Sequence, residues 1–396
     1  MKFVRNWGRL GMKYNLLSLC EYRKGKVSVD GLNKDTYIST ENMLPNKGGV
    51  VQATSLPKTP QTQEYKKGDV LVSNIRPYFK KIWQAKYDGG CSNDVLVFKA
   101  STNTDKDFLY YVLADDAFFN YSMATSKGTK MPRGDKTSIM QYEVPNYKIS
   151  TQTKIASILR SLDEKIELNN KINNNLFDQA VTLFSNKLET AEEISSTLLG
   201  NIADVKGGKR LPKGKNLTTE PTSHPYIRVR DLNNAIFASL DSNYEYVDEE
   251  TQKTISRYIV SSSDVLISIV GTIGLTAIVD DTLDSANLTE NCVKLTNLKH
   301  VTPEYLLLYL RSNAGQEAIA KSTVGAVQLK LPLKNIQALP VPLLNSKELT
   351  SLNEILAPIF AKISNNVIEN RKLIDLRETI LPKLLSGEID VSTIEI

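Results

Sequence analysis

The chain has 396 residues, is 41% hydrophobic and 23% charged, and carries a formal net charge of +5, which leaves room for two or three soluble domains with sizeable cores. No segment approaches the roughly 18 uninterrupted apolar residues of a membrane span, and the N-terminus MKFVRNWGRLGMKY has no apolar run like that of a secretory leader. Cytoplasmic residence without membrane contact is expected. Cys20, Cys91 and Cys292 are far apart and stand with only His224 and His300. They form no zinc spacing, so they are expected to be reduced core thiols and no metal is expected. The charge is uneven: residues 1 to 150 hold 23 Lys and Arg against 14 Asp and Glu, whereas residues 346 to 396 hold 6 against 8. A basic first block suits a polyanionic partner.

Short β-rich runs lead the chain: Val27–Val29, Val70–Val72, Lys81–Trp83 and Val95–Phe98, divided by Gly, Asp and Asn. The loop after Val70–Val72, Ser73 to Lys81, combines Arg76, Lys80 and Lys81 with polar donors, a composition suited to phosphate contacts or a bidentate grip on guanine. A helix is expected over Lys106 to Tyr121. A second basic loop follows, Ser126 to Lys136, with Lys127, Lys130 and Arg133 as the candidate contacts. For either loop the alternative reading is an exposed turn whose lysines keep the surface soluble.

From Thr151 to Leu188 apolar residues recur at Ile155, Ile158/Leu159, Leu162, Ile166, Ile172, Leu176, Ala180, Leu183 and Leu188, with no proline or glycine. This is a helical seam of about ten turns, roughly 57 Å at about 1.5 Å per residue, too long for one compact domain and suited to a spacer.

Beyond it the chain repeats itself. At a shift of 197, Lys165–Ile166 recurs as Lys362–Ile363, Asn169 as Asn366, Asn173 as Asn370 and Asp178 as Asp375. The Asp69–Val72 strand recurs as Asp264–Ile267, the Lys127–Gly128–Thr129 turn as Val324–Gly325–Ala326, and a helix over Pro303 to Ala320 matches the earlier one. Further strands are expected at Tyr226–Val229, Thr276–Val279 and Cys292–Leu295. The expected divisions are residues 1-150 for the first module, 151-190 for the spacer helix, 191-345 for the second module and 346-396 for the second helix and tail.

Asn169, Asn173, Asn366 and Asn370 fall on the apolar seam at one phase. Buried asparagines there would fix register and favour antiparallel pairing of the two helices about a pseudo-twofold axis; the alternative is two independent amphipathic helices. Pro358 is expected to kink or break the second helix. The front of each module is where the copies differ, a pattern suited to two versions of one kind of ligand. In the second module Lys209, Arg210, Arg228 and Arg230 cluster with few acids before residue 231. Thr272, within Gly271–Thr272–Ile273–Gly274, and Lys321, Gln328 and Lys330 complete the candidate DNA contacts.

No Asn-Pro-Pro-aromatic or Asp-Pro-Pro-Tyr run, nucleotide-binding glycine loop or Gly-x-x-x-x-Gly-Lys motif is present, and neither histidine sits in a polar sequence cluster. No cofactor and no catalytic residue is expected. The duplicated module-plus-helix plan, the Gly/Ser-Asp-Val-Leu strands, the Ser161–Asn170 run SLDEKIELNN and the C-terminal LPKLLSGEI together resemble the specificity subunit of type I restriction-modification enzymes. The resemblance spans essentially the whole chain. It implies an α+β fold of two tandem target-recognition domains, each reading half of a split site in double-stranded DNA, separated by two long helices that pair as an antiparallel coiled coil. It further implies two docked methyltransferase subunits, restriction subunits joined through that core, a prokaryotic cytoplasm and a non-catalytic role. The first module lacks a Gly-x-Ile-Gly loop, a departure from the second. A protein-binding coiled-coil adaptor is the competing reading; it predicts no salt-dependent affinity for duplex DNA.

Overall fold

The computed structural model describes residues 14–233, 235–241, 244–392 and 394; MKFVRNWGRLGMK, read above for a leader, lies outside them. The chain divides into two units, Met1–Ile166 with Leu373–Ile396 and Glu167–Lys372. Each unit takes a length of both long helices.

In unit 1 the strands β1 (Val70–Ser73), β2 (Ile82–Gln84) and β3 (Val95–Ala100) form an antiparallel sheet in the order Cys20–Tyr22, β3, β1, β2. A second sheet holds Lys26–Ser28, Gln61–Tyr65, Gly89–Cys91 and Tyr37–Ile38, the last pair parallel. All four residues of β1 are buried, because both its faces are covered. Val70 and Val72 join Phe98, Phe108 and Phe118 on the helical side, while Leu71 packs with Tyr65, Trp83 and Cys91. Successive strand residues point to opposite faces, so a strand between two packed layers is apolar throughout.

Unit 2 repeats the plan with β4 (Val265–Ser268), β5 (Thr276–Val279) and β6 (Cys292–Thr296) in a five-stranded sheet ordered Asp204–Gly207, β6, β4, β5, Phe237–Ala238. Three further strands, Glu245–Tyr246, Pro225–Ile227 and Asn287–Leu288, form the second sheet. Val29 and Val229, expected to close strands, instead open the 3-10 turns Val29–Gly31 and Val229–Leu232.

The single helix expected in each module is two. Unit 1 has α1 (Lys106–Ala114) and α2 (Asp116–Ala124). The break at Asp115 is capped by its own carboxylate, which accepts the Ala117 N–H at 3.0 Å. In unit 2 the corresponding pair is α4 (Pro303–Arg311) and α5 (Asn313–Ser322), with Ser312 Oγ accepting the Gly315 N–H at 3.1 Å. Short polar side chains satisfy first-turn N–H groups, so both residues end one helix and begin the next. Gly315 is required beyond the break: a Cβ there would lie 2.1 Å from the Tyr309 carbonyl oxygen.

The long helices are α3 (Ile149–Thr190) and α6 (Ser346–Ser386), and they pair antiparallel. Within unit 1, Arg377 Nη1 meets Asp163 at 2.5 Å, and Asp163 accepts the Tyr111 hydroxyl at 2.7 Å. The Lys154 ammonium donates to the carbonyls of Val391, Ser392 and Ile394, fastening the tail. Within unit 2, Asn169 Nδ2 donates to Asn370 Oδ1 at 2.9 Å and Asn366 Nδ2 to Asn173 Oδ1 at 2.8 Å. All four asparagines are buried. Because Asn169 corresponds to Asn366 and Asn173 to Asn370 in the repeat, these two bonds are one contact made twice with the copies exchanged, as at an isologous interface. Further along, Phe177 meets Phe360 edge-on at 6.3 Å and Lys187 pairs with Glu348 at 2.9 Å.

Two expectations about these helices need correction. Helix α6 runs unbroken through Pro358; Pro358 and Glu354 both lie on the exposed face, so the carbonyl that loses its donor faces solvent. Leu183, assigned to the buried seam, is exposed, and the adjacent Phe184 is buried in its place against Tyr305 at 5.0 Å. The three cysteines are free and buried, and burial pushes each thiol up to about 12. His224 does stand in a polar cluster, with Nε2 2.7 Å from Glu249.

Beside the second sheet of unit 2, Asp231 accepts the Arg228 N–H at 2.7 Å. Its carboxyl is pushed up to about 7: burial dominates, Arg230 opposes it, and Asp241 and Glu245 add repulsion.

Asn169→Ala removes the donor to Asn370 and to Glu369, at 2.8 Å, and should destabilise the chain by about 1–3 kcal/mol in thermal or denaturant unfolding. Leucine at all four asparagine positions should instead hold or raise the melting temperature while releasing the register constraint. For Asp231 the folded value near 7 exceeds the ordinary aspartate value of about 3.9. The folded unit therefore holds a proton that the unfolded chain releases between those values. This contribution to stability is full below about pH 4 and is lost as pH rises to about 7. Asp231→Asn should flatten that part of the pH–stability curve relative to the parent.

Candidate nucleic-acid interface

Three loops meet at one edge of each unit. In unit 1 they are the β1–β2 loop, the turn entering β3 and the Lys127–Arg133 hairpin. Asn74 N–H donates to the Asp94 carbonyl at 2.8 Å, Arg76 N–H to the Pro132 carbonyl at 2.8 Å, and Lys127 and Arg133 exchange both backbone bonds. Ile75 bridges to Arg133. In unit 2, Ile269 N–H donates to the Asn291 carbonyl at 2.8 Å, Leu331 N–H to Ile269, and Val324 exchanges bonds with Lys330, which bridges to Val270. The same backbone frame therefore holds different side chains in the two units.

The turn chemistry explains how one frame accepts two loop sequences. Gly271 and Gly274 have φ of 81° and 85°, and Arg76 and Lys80 adopt the same left-handed region at 50° and 49°. A residue with a Cβ pays about 1–2 kcal/mol there. In unit 1 the surrounding bonds hold it: Lys80 N–H to Pro77, Asn46 N–H to Phe79 and Lys47 N–H to Lys80. The missing Gly-x-Ile-Gly thus changes residues without removing the turn.

Of the residues proposed from sequence, Lys130, Thr272, Gln328 and Lys330 stand exposed on the two junctions. Arg133 is there too, 3.2 Å from Asp94. Lys127 lies on the same hairpin at 2.5 Å from Asp135; that hydrogen bond, with those from Ser138, holds the Asp135 carboxyl well below its ordinary range. Lys321 pairs with Glu317 one helical turn away.

Others turn inward. Lys80 binds Asp116 at 2.8 Å. Lys81 donates to the Thr40 carbonyl at 2.6 Å, and burial lowers its pKa. Arg76 buries its Nε without a hydrogen-bond partner among the described residues. Lys209 lies 5.4 Å over the Tyr258 ring, and Arg210 meets Glu290, the neighbour of Asn291, at 2.7 Å. Arg228 binds Glu245, and Arg230 lies 3.3 Å from Asp231. The basic run that looked uncompensated before residue 231 is matched by acids distant in sequence: Arg210 and Glu290 are 80 positions apart.

Sequence reasoning missed three features of the junctions. Tyr78 and Phe79 project from the unit 1 loop, half and one-third exposed, with ring centroids 4.7 Å apart. Val324, Val327 and Leu329 are exposed on the unit 2 hairpin. Asp94 and Asn291 stand at equivalent places before β3 and β6. Their signal was present, since they align at the same 197-residue shift. Between them the two junctions offer cations for phosphates, amide and carboxyl groups for base edges, and apolar side chains for the thymine methyl group.

Among the described residues no cluster of three or more His, Cys, Asp or Glu could hold a metal ion, and no helix is long and apolar enough to cross a membrane.

The family model of the type I restriction modification DNA specificity domain matches residues 12–177 and again 192–377. The chain is 23% identical to the type I restriction enzyme HindI specificity subunit of Haemophilus influenzae, over 89% of this chain and 94% of that one. It is 22% identical to the MjaIX specificity subunit of Methanocaldococcus jannaschii, over 72% and 69%. The crystal structure of the type I restriction-modification S subunit from M. genitalium shares the fold, with a TM-score of 0.53 at 18% identity over 96% of this chain and 98% of that one. Matched twice along most of its length, the chain belongs to the type I restriction-modification DNA specificity family and is a DNA sequence-specificity subunit.

Proposed function

We propose that each unit reads one half of a split site in duplex DNA through its three-loop junction. The long helices dock two methyltransferase subunits, which carry the chemistry and through which restriction subunits join. The observation that carries this reading is the repeated junction itself: one hydrogen-bonded frame occurs in both units with unlike side chains on it. A retained frame with exchanged side chains is what two recognition surfaces for unlike base sequences require.

The division of labour also fits the residues. Lys127, Lys130 and Lys321 supply phosphate contacts, and Arg133, Lys330, Thr272 and Gln328 supply polar groups for base edges. Lys80, Lys81 and Arg228 are held by internal partners and contribute to loop shape. The chain acts without a cofactor and without catalytic residues of its own, in the cytoplasm of a prokaryote.

Purified alone, the chain should transfer no methyl group from labelled S-adenosylmethionine to DNA; transfer without a partner would refute the non-catalytic assignment. In the assembled methyltransferase complex, Lys130→Ala should weaken binding to all sequences alike and lower the slope of log K against log salt by about one unit. Lys80→Ala, whose ammonium is committed to Asp116, should leave that slope unchanged. Anisotropy titrations across a salt series measure both.

A further inference from the structure

The unit 1 junction carries an acid where a polyanion-binding surface has reason to shed one. Asp94 and Arg133 come from different loops, stand 3.2 Å apart and are exposed, at 38% and 53% of their side-chain surface. The structural work of position 94 belongs to its backbone, which accepts the Asn74 N–H at 2.8 Å. Unit 2 makes the same bond, Ile269 N–H to the Asn291 carbonyl at 2.8 Å, from an asparagine. The junction therefore folds without a carboxylate at this place.

A carboxylate beside a DNA backbone repels phosphate and weakens binding to every sequence. A group that the frame does not need and that opposes non-specific binding has a use if it meets a base edge. An ionised carboxylate only accepts hydrogen bonds, and in the major groove the cytosine N4 amine donates one; the guanidinium fork matches guanine O6 and N7. The Asp94–Arg133 pair presents both functions side by side, and the ion pair keeps the arginine aimed along the surface before DNA arrives.

We propose that Asp94 and Arg133 together read a G·C pair in the first half-site, Arg133 donating to guanine and Asp94 accepting from the cytosine amine. The proposal rests on the junction being the DNA face. Unit 2, with Asn291 and Lys330 at these places, makes a different choice at the corresponding base pair.

The test is methylation-site sequencing of the complete methyltransferase complex carrying Asp94→Ala, Arg133→Lys or Lys130→Ala. Alanine removes the side-chain acceptor and leaves the backbone bond to Asn74 in place, and lysine keeps the charge of Arg133 without its fork. Asp94→Ala should leave the second half-site unchanged and relax one G·C position of the first, lowering preference there by roughly tenfold or more, while binding to non-cognate duplex strengthens. Arg133→Lys should relax the same position. If Asp94→Ala strengthens binding but preserves preference at every position, the carboxylate acts only through its charge and the pair is not a reader. If Lys130→Ala weakens binding while neither Asp94→Ala nor Arg133→Lys alters site preference, the pair is overturned and the junction stands as the DNA face. If none of the three variants changes binding or the first half-site, the junction assignment itself fails.

Discussion

Two amide-to-amide hydrogen bonds, Asn169 to Asn370 and Asn366 to Asn173, fix how α3 and α6 lie along one another. Leucines and isoleucines along the rest of the seam would tolerate a slip of one heptad, since one apolar layer packs much like the next. A displaced asparagine would bury an amide against apolar side chains and lose its partner, at about 1–3 kcal/mol per group. The asparagines thus trade packing energy for a unique register. Even here satisfaction is incomplete, because the Oδ1 atoms of Asn169 and Asn366 are buried without a partner among the described residues. Register matters because both units close their cores with these helices. Ile155, Leu159, Leu381 and Leu384 complete unit 1, and Ala180, Phe184, Leu356 and Phe360 complete unit 2.

On that frame the units keep a common backbone and differ in what they display. The left-handed positions of the β1–β2 loop show how the divergence is accommodated. Unit 2 uses glycines, whereas unit 1 places Arg76 and Lys80 there and holds them with bonds from Asn46, Lys47 and the Lys127–Arg133 hairpin. Unit 1 thereby gains room between them for Pro77, Tyr78 and Phe79, and its junction becomes aromatic where that of unit 2 is small and aliphatic. Strain at a loop tip is tolerated where the surroundings over-determine it.

Much of the architecture was legible because the chain states it twice. The 197-residue shift exposed the duplication, the two helices and the shared phase of their asparagines, which periodicity in either copy alone would have left ambiguous. The β1–β2 loop and the hairpin that meet at each junction were also legible as loops, since glycines and basic residues cluster in them. The pairing state of each charge was not. Lys80, Lys81 and Arg228 look free in sequence because Asp116, the Thr40 carbonyl and Glu245 lie on other elements. A local charge tally cannot count partners that only folding brings close. The helix breaks at Asp115 and Ser312 carried a readable sign, a capping residue inside an apolar period, which the strength of that period concealed. Pro358 shows the converse: a breaker on an exposed face leaves the helix continuous.

In the proposed function, two unlike reading surfaces act on one DNA site through a common helical frame. Inserting one heptad into each long helix beside the asparagine layer, after Ile166 and before Leu373, lengthens both by roughly 10 Å at about 1.5 Å per residue, about three base pairs at 3.4 Å each. Methylation-site sequencing of the double-insertion complex should return the same two half-sites around an unread gap about three base pairs longer. The same halves around an unchanged gap would contradict the account.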